Sequence, residues 1–446
     1  MPPIAENDPI DDTQEGFSLL PQGHRDMVQA TAFNIYGDRF ASSSVDGKIK
    51  VYNRHKNGTW NLCDTWGAHT AEVLQACFSH VFSPGPSHEP RYKKLPLTPR
   101  AKIQWLPPTI HPNLIASIGA DGRFKLWVED PTLPPSKGRR FNAHSNKPVY
   151  ELRSGSRSPF LSFAITHNTE TRHTYLALID RNASLTVYEN DEPENLDSWN
   201  ELDRVNVCEK PARGEEVAFK VAFDPNLEPC YMALKQGIPR DSLGVIVASM
   251  NRASLWRTKD ISHSVSLGSN TTKEFYLAAE LKGHKGLVRD VAWAPGNIRG
   301  FDVVATACKD GFVRVFQVTT PTKGERPQRS KDFSRAPERV VVQRRSAENG
   351  NKNAPSGIGA GLQGARPGWS AREKDARLGE GEVVHLAKEV SRLEANRSPV
   401  WRVEFDADGQ LLGSTGDDGK LLLWRREPSG AWSKSSELAM TRGPVP

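Results

Sequence analysis

Short runs of alternating or wholly apolar residues recur between Gly, Asp, Asn and Pro turns along the 446-residue chain, while the spacing of amphipathic helices is hard to find. The pattern predicts an all-β protein. One unit repeats: an apolar strand, a second strand ending in small residues, an Asp-Gly turn, and a third strand closed by an aromatic. Its copies are FASSSVDGKIKVY (40–52), IASIGADGRFKLW (115–127), VATACKDGFVRVF (304–316) and LGSTGDDGKLLLW (412–424). Four positions before each turn aspartate (Asp46, Asp121, Asp310, Asp418) stands a hydroxyl: Ser42, Ser117, Thr306 and Ser414. Two weaker copies, YLALIDRNASLTVYE (175–189) and GVIVASMNRASLWR (244–257), carry Asn182 and Asn251 at the turn.

A histidine after a small residue precedes several copies: Gly23-His24, Ala68-His69 and Gly283-His284, each followed by an apolar strand. This order of Gly-His, strand, turn Asp and closing aromatic resembles the WD40 repeat, the blade unit of β-propellers. The spacing suits a buried relay in which the turn carboxylate and the strand hydroxyl both bind the imidazole. Fourth strands are expected at Thr59–Trp66, Lys147–Arg153, Trp199–Val207, Glu274–Leu281, Pro337–Gln343 and Trp432–Ala439, which gives six blades. The last blade completes itself, and before His24 only Phe17–Leu20 offers a further strand, so neither terminus visibly closes the ring. An open six-bladed WD40 propeller is expected, with apolar faces that a partner would cover.

The turns are farther apart than the roughly 40–45 residues of ordinary WD40 repeats, so the loops must hold insertions. A Pro-rich one spans 80–100, a second spans 225–240, and a third, Gly-, Arg- and Pro-rich, spans 319–382. The expected organisation is a tail over 1–22, blades one to five over 23–318, a disordered insert over 319–382 between blades five and six, blade six over 383–440 and a tail over 441–446. Net charge is +6, and the third insert carries 13 Lys and Arg against 8 Asp and Glu, so the blades are close to neutral. The insert's interleaved acids and few aromatics argue against nucleic-acid binding.

Five widely spaced cysteines (Cys63, Cys77, Cys208, Cys230, Cys308) form neither a disulfide framework nor a zinc motif, and a reducing compartment fits. No apolar run approaches the length of a membrane span, and the acidic N-terminus does not read as a secretory leader. Gly359-Ala-Gly361-Leu-Gln-Gly364 spells a dinucleotide fingerprint without the flanking strand and helix that chemistry needs, so it reads as linker. The Ser-His-Asp set repeats in several blades, which marks a structural device and not an active site. Trp127-Val, Trp256-Arg and Trp424-Arg lack the Asp of ubiquitin-ligase adaptor propellers. Neither an enzyme, a cofactor, a metal nor a small-molecule substrate is expected.

The runs LKGHKGLVRDVAWAP (281–295), CKDGFVRVF (308–316), GDDGKLLLW (416–424), IKVYNRHKNGTWNLCDTWGAH (49–69) and ENLDSWNEL (194–202) are more specific than a generic repeat. They resemble the Sec-thirteen-homologue (SEH-type) nucleoporins of the Y-shaped nuclear pore coat, roughly over 23–318 and 396–440. The resemblance implies a propeller left open for an α-solenoid nucleoporin of that coat, which inserts a short blade in trans. It also implies contacts with other coat nucleoporins, residence at the nuclear envelope, and support of protein and mRNA transport. The same family serves in a vacuole- or lysosome-surface complex that regulates the TOR kinase, and a relative serves in vesicle coats of the endoplasmic reticulum. The chain departs from the pattern in its Pro-rich insert, the length of its basic insert, and Asn396 where the last-blade His belongs.

Such an opening leaves blades one and six with a neighbour on one side each. Ile49 and Val51 share a face of blade one, and Leu421 and Leu423 share one of blade six. The first strands add Val28, Phe33, Trp401 and Val403. These eight are the docking candidates, and the pattern leaves open which face looks into the gap.

Overall fold

The computed structural model describes residues 20, 23–34, 36–71, 73–75, 103–105, 114–130, 140–142, 147–155, 158–168, 170–192, 195–265, 268–296, 300–321, 381–395 and 398–439. They form six antiparallel sheets, the blades of a β-propeller. Blade one contains β1 (Val28–Phe33), β2 (Arg39–Ser44), β3 (Lys48–Arg54) and β4 (Trp60–Gly67). Blade two contains β5 (Val73–Gln75), β6 (Ile103–Trp105), β7 (Leu114–Gly119), β8 (Arg123–Val128) and β9 (Tyr150–Arg153). Blade three contains β10 (Phe160–His167), β11 (Thr174–Asp180), β12 (Ser184–Asn190) and β13 (Asn200–Asn206). Blade four contains β14 (Phe219–Phe223), β15 (Gly244–Ser249), β16 (Arg252–Val265) and β17 (Gly268–Leu281). Blade five contains β18 (Val288–Trp293), β19 (Asp302–Cys308), β20 (Phe312–Thr319) and β21 (Leu386–Glu394). Blade six contains β22 (Val400–Phe405), β23 (Leu411–Gly416), β24 (Lys420–Arg426) and β25 (Trp432–Ala439).

Strand composition follows position in the blade. The second strands β7 and β15 are buried at every residue because a blade lies on each side, whereas the last strand β25 (WSKSSELA) is mostly exposed. Five apolar clusters stitch the ring. They join blades one and two through Ile49, Val51, Trp66, Ile115 and Trp127, and blades two and three through Leu126, Phe163 and Leu178. The others join three to four, four to five, and five to six. Among the described residues no cluster joins blade six to blade one. A buried ionic tie reinforces the seam between blades four and five: Arg257 donates to Asp302 at 3.0 Å and to His385 Nε2 at 3.1 Å, with the Trp293 ring beneath it.

Two boundaries differ from the sequence reading. The fourth strand of blade five is β21, which pairs along β20 from Phe312↔Glu394 to Thr319↔Leu386. The expected Pro337–Gln343 lies outside the described residues, and blade six begins at Val400, not at 383. The reason is a phase difference: a sequence repeat starts with the last strand of one blade, so reading repeat for blade shifts β21 forward. The Pro-rich insert falls inside the first strand of blade two, whose halves β5 and β6 both pair with β7. The 225–240 segment is ordered. Its short helix α1 (Tyr231–Lys235) packs through Cys230, Ala233 and Ile238 on Val383.

Candidate docking gap

The relay residues show which way each blade faces. In blade two, His69 Nε2 meets the Ser117 hydroxyl at 2.9 Å, its Nδ1 meets Asp121 at 3.0 Å, and Trp127 Nε1 donates to Ser117 at 3.0 Å. Blade one repeats this with His24 between Ser42 (2.8 Å) and Asp46 (3.3 Å). Both imidazole side chains are sealed from solvent, and burial lowers both histidine pKa values. Burial raises the pKa of both carboxyls, but the backbone N–H groups of Arg25 and Lys48, and then His24, hold Asp46 below the usual carboxylate range, and His69 does so for Asp121.

Blade five departs from that scheme. His284 Nε2 reaches Thr306 at 2.9 Å, but Asp310 is taken by the Arg314 guanidinium at 2.7 and 3.1 Å, which leaves the buried His284 Nδ1 without a hydrogen bond. Burial and the Arg314 charge lower the His284 pKa to about 4. Blade six departs further: Ser414 accepts from Trp424 Nε1 at 2.9 Å, while Asp418 is exposed and caps its own turn at Lys420 N. The expected histidine position, Asn396, lies outside the described residues. The structure therefore brings His, hydroxyl and Asp together in blades one and two and rebuilds the set around arginine in blade five, while in blade six no histidine among the described residues joins Ser414 and Asp418.

In each strand the relay hydroxyl and closing aromatic share a face, and that face looks to the preceding blade. Ile115 and Trp127 of blade two cluster with blade one, and Leu412 and Trp424 of blade six cluster with blade five. The alternate residues look forward. Among the described residues no blade packs on the preceding side of blade one or the following side of blade six, so the relay face of blade one and the forward face of blade six border the gap.

This assigns the docking candidates. Ile49 and Val51 are fully buried against blade two, and Val403 is buried against blade five, so these three do not line the gap. Trp401 falls at the bulge of β22, stacks with the Arg289 guanidinium of blade five and donates to Asp417, so it is a seam residue too. Val28, paired with Ser44, and Phe33, paired with Phe40, lie on the gap face. Leu421 and Leu423 lie on the forward face of blade six, joined by Leu411 and Leu438. Sequence reasoning missed the core of the blade-one wall. Phe40 stacks on Tyr52 (centroids 4.6 Å apart), and Trp60 meets Phe33 at 5.7 Å and Phe40 at 4.9 Å. Leu62, paired with Tyr52, is 48% exposed at the margin. The missed signal is the closing aromatic itself, Tyr52, which is seam-forming in every blade except the first. An aromatic wall thus faces a leucine wall, and neither belongs to a cluster with the other.

Comparison with known proteins supplies the lineage. The model for the WD domain, G-beta repeat, matches residues 17–53, 275–317 and 387–425. The second and third of these stretches begin within β17 and β21, one strand ahead of a blade. Nucleoporin SEH1 of Chaetomium thermophilum is 38% identical over 99% of this chain and 97% of its own length. The chain belongs to the nucleoporin SEH1 family. Its Saccharomyces cerevisiae relative is 27% identical over 90% of the chain and 93% of that protein, and the Schizosaccharomyces pombe relative is 24% identical over 96% and 97%. Family membership makes this a WD-repeat nucleoporin of the nuclear pore complex with a structural, scaffolding role.

Proposed function

We propose that this chain is a non-enzymatic scaffold subunit of the nuclear pore coat whose gap receives strands from an α-solenoid nucleoporin, completing the propeller in trans and supporting nucleocytoplasmic transport of protein and mRNA. The observation that carries this reading is the pair of unclustered walls, Phe33, Phe40, Tyr52 and Trp60 on blade one and Leu421 and Leu423 on blade six. Phe40, Tyr52 and Leu421 are already buried, so an inserted sheet would gain mainly from the half-buried Phe33, Trp60 and Leu423 and the exposed Leu62, at about 25 cal/mol per Å² removed from water. The relay sets support no catalysis, because the same set recurs from blade to blade with its imidazoles sealed from solvent, as at His24 and His69.

The test is capture of coat nucleoporins, paired with circular dichroism. Phe33→Glu and Leu423→Glu should fold and lose capture. Val51→Glu should instead unfold, because Val51 is fully buried in the seam with blade two. Folded gap variants that still capture the nucleoporin normally would overturn the reading. The vacuole-surface TOR-regulating complex would use the same gap, so its blade donor and the coat nucleoporin should compete for the chain.

A further inference from the structure

Around the inner edge of the propeller, first strands are tied to each other at one recurring position. It is the residue preceding the one paired with the relay hydroxyl or its equivalent: Ser162 in blade three, Lys220 in blade four, Asp290 in blade five and Arg402 in blade six. Ser162 accepts the backbone N–H of Val221 at 3.2 Å, which joins blade three to blade four. Lys220 pairs with Asp290 at 3.2 Å, joining four to five. Asp290 also accepts the backbone N–H of Val403 at 3.2 Å, joining five to six. The Lys220–Asp290 pair is buried on both sides. At this position, then, Lys220, the cation that has a blade after it, is answered by a carboxylate at the same level of that blade.

Arg402 is the next cation in the series. It pairs with Thr415 in β23, opposite in face to the buried Val403, and so points out of blade six into the gap. It is half-buried, and among the described residues it has no hydrogen bond or ion pair. Water solvates this half-buried guanidinium while the gap is open, but a strand docked beside β22 would bury it, and a buried guanidinium needs a carboxylate partner.

We infer that the strand entering the gap beside β22 carries an aspartate or glutamate level with Arg402, and that this ion pair fixes the register in which the partner's blade docks. The inference rests on the trans-completion reading and adds the chemistry of the partner. Aromatic and leucine walls attract any apolar strand but discriminate poorly between registers that differ by two residues. A single buried ion pair penalises the slipped registers by leaving the arginine unanswered.

The experiment uses the full chain bound to the nucleoporin it captures. The Arg402→Lys variant is treated with a zero-length carbodiimide, which joins an amine to a carboxylate in contact with it, and the products are mapped by mass spectrometry. The expected result is a crosslink from position 402 to one Asp or Glu of the captured protein. Arg402→Ala should weaken binding roughly tenfold and reduce its salt dependence, with Arg402→Lys recovering much of the loss and all variants melting as the parent does. A crosslink from position 402 to the acidic N-terminus of this same chain (Glu6, Asp8, Asp11, Asp12 or Glu15) would overturn the inference in favour of a self-filled gap. Intact capture without a crosslink at position 402, and with unchanged affinity in Arg402→Ala, would overturn the ion pair while leaving trans completion standing. Normal capture by the folded Phe33→Glu and Leu423→Glu variants would remove both.

Discussion

One turn aspartate does three different jobs in this molecule. Asp46 and Asp121 orient a histidine, Asp310 neutralises a buried arginine, and Asp418 caps an exposed turn. Their substitutions should differ accordingly. Asp310→Ala strips the nearly solvent-free Arg314 of its bidentate partner, leaving Glu389 at 3.7 Å, and should cost about 3 kcal/mol by urea unfolding. Asp418→Ala should cost less than about 0.5 kcal/mol in the same assay, as surface changes do. His284 adds a pH dependence. Its pKa in the fold, about 4, lies below the ordinary 6.5, so its neutral state contributes stability that is complete above 6.5 and is lost as pH falls toward 4. Asp224, raised by burial and the Asp302 charge to about 7, acts in the opposite sense, and so does Asp302, raised by burial. The His284 share is therefore read from the difference between the parent and His284→Gln, which should shrink by about 2 kcal/mol between pH 7 and pH 5.

The strands themselves were legible from turns and apolar runs, and the third and fourth strands meet at a recurrent bulge beside the closing aromatic, at Tyr52, Tyr188, Trp256, Phe316 and Trp424. Turn chemistry tracks the repeat even where the letters change: Ala183 takes the left-handed conformation (φ 65°) that Gly47, Gly122, Gly311 and Gly419 take elsewhere. The partnership of β20 with β21 was not legible, because a pairing across some sixty residues leaves no local signal. The two ends of that excursion are clasped: the Thr320 hydroxyl meets His385 Nδ1 at 2.8 Å, and His385 is held in turn by Arg257. Replacing residues 322–380 with about six Gly and Ser residues should preserve the β signature in circular dichroism. It should also raise unfolding free energy by up to about 2 kcal/mol through the smaller loop-closure entropy. Loss of folding on that deletion would show that the insert is part of the blade.

Taken whole, the propeller has five apolar seams and a sixth boundary between aromatic and leucine walls. Addition of the blade-donating nucleoporin should therefore raise the melting temperature in proportion to the logarithm of its concentration above Kd, as for any ligand that binds the folded state alone. An unchanged melting point at saturating partner, measured by differential scanning fluorimetry, would mean that the ring edges gain nothing from occupancy. The loops are distributed unequally as well. Segments 129–149, 224–243 and 320–385 all follow a first or third strand and so share one rim, while the Asp-Gly turns and relay histidines occupy the other. Apart from the Pro-rich insert between β5 and β6, the long segments thus leave from the side of the disc opposite the turns that lock the seams.

Local chemistry was enough to specify the all-β class, the six repeats, the histidine relays of blades one and two, and the family resemblance that the 38% identical relative bears out. Those features live in short runs, where alternation, turn residues and fixed spacing carry the information. Packing settled the rest. Whether Val51 or Tyr52 faces the gap depends on which neighbour each face of a sheet meets, and a strand reads the same whichever neighbour is missing. Whether Asp310 serves a histidine or an arginine depends on a guanidinium four residues further along that only folding swings into reach. Arg402 resembles any surface arginine in the sequence. It becomes conspicuous only when Lys220 and Asp290, distant along the chain, are brought into line with it around the inner edge of the ring.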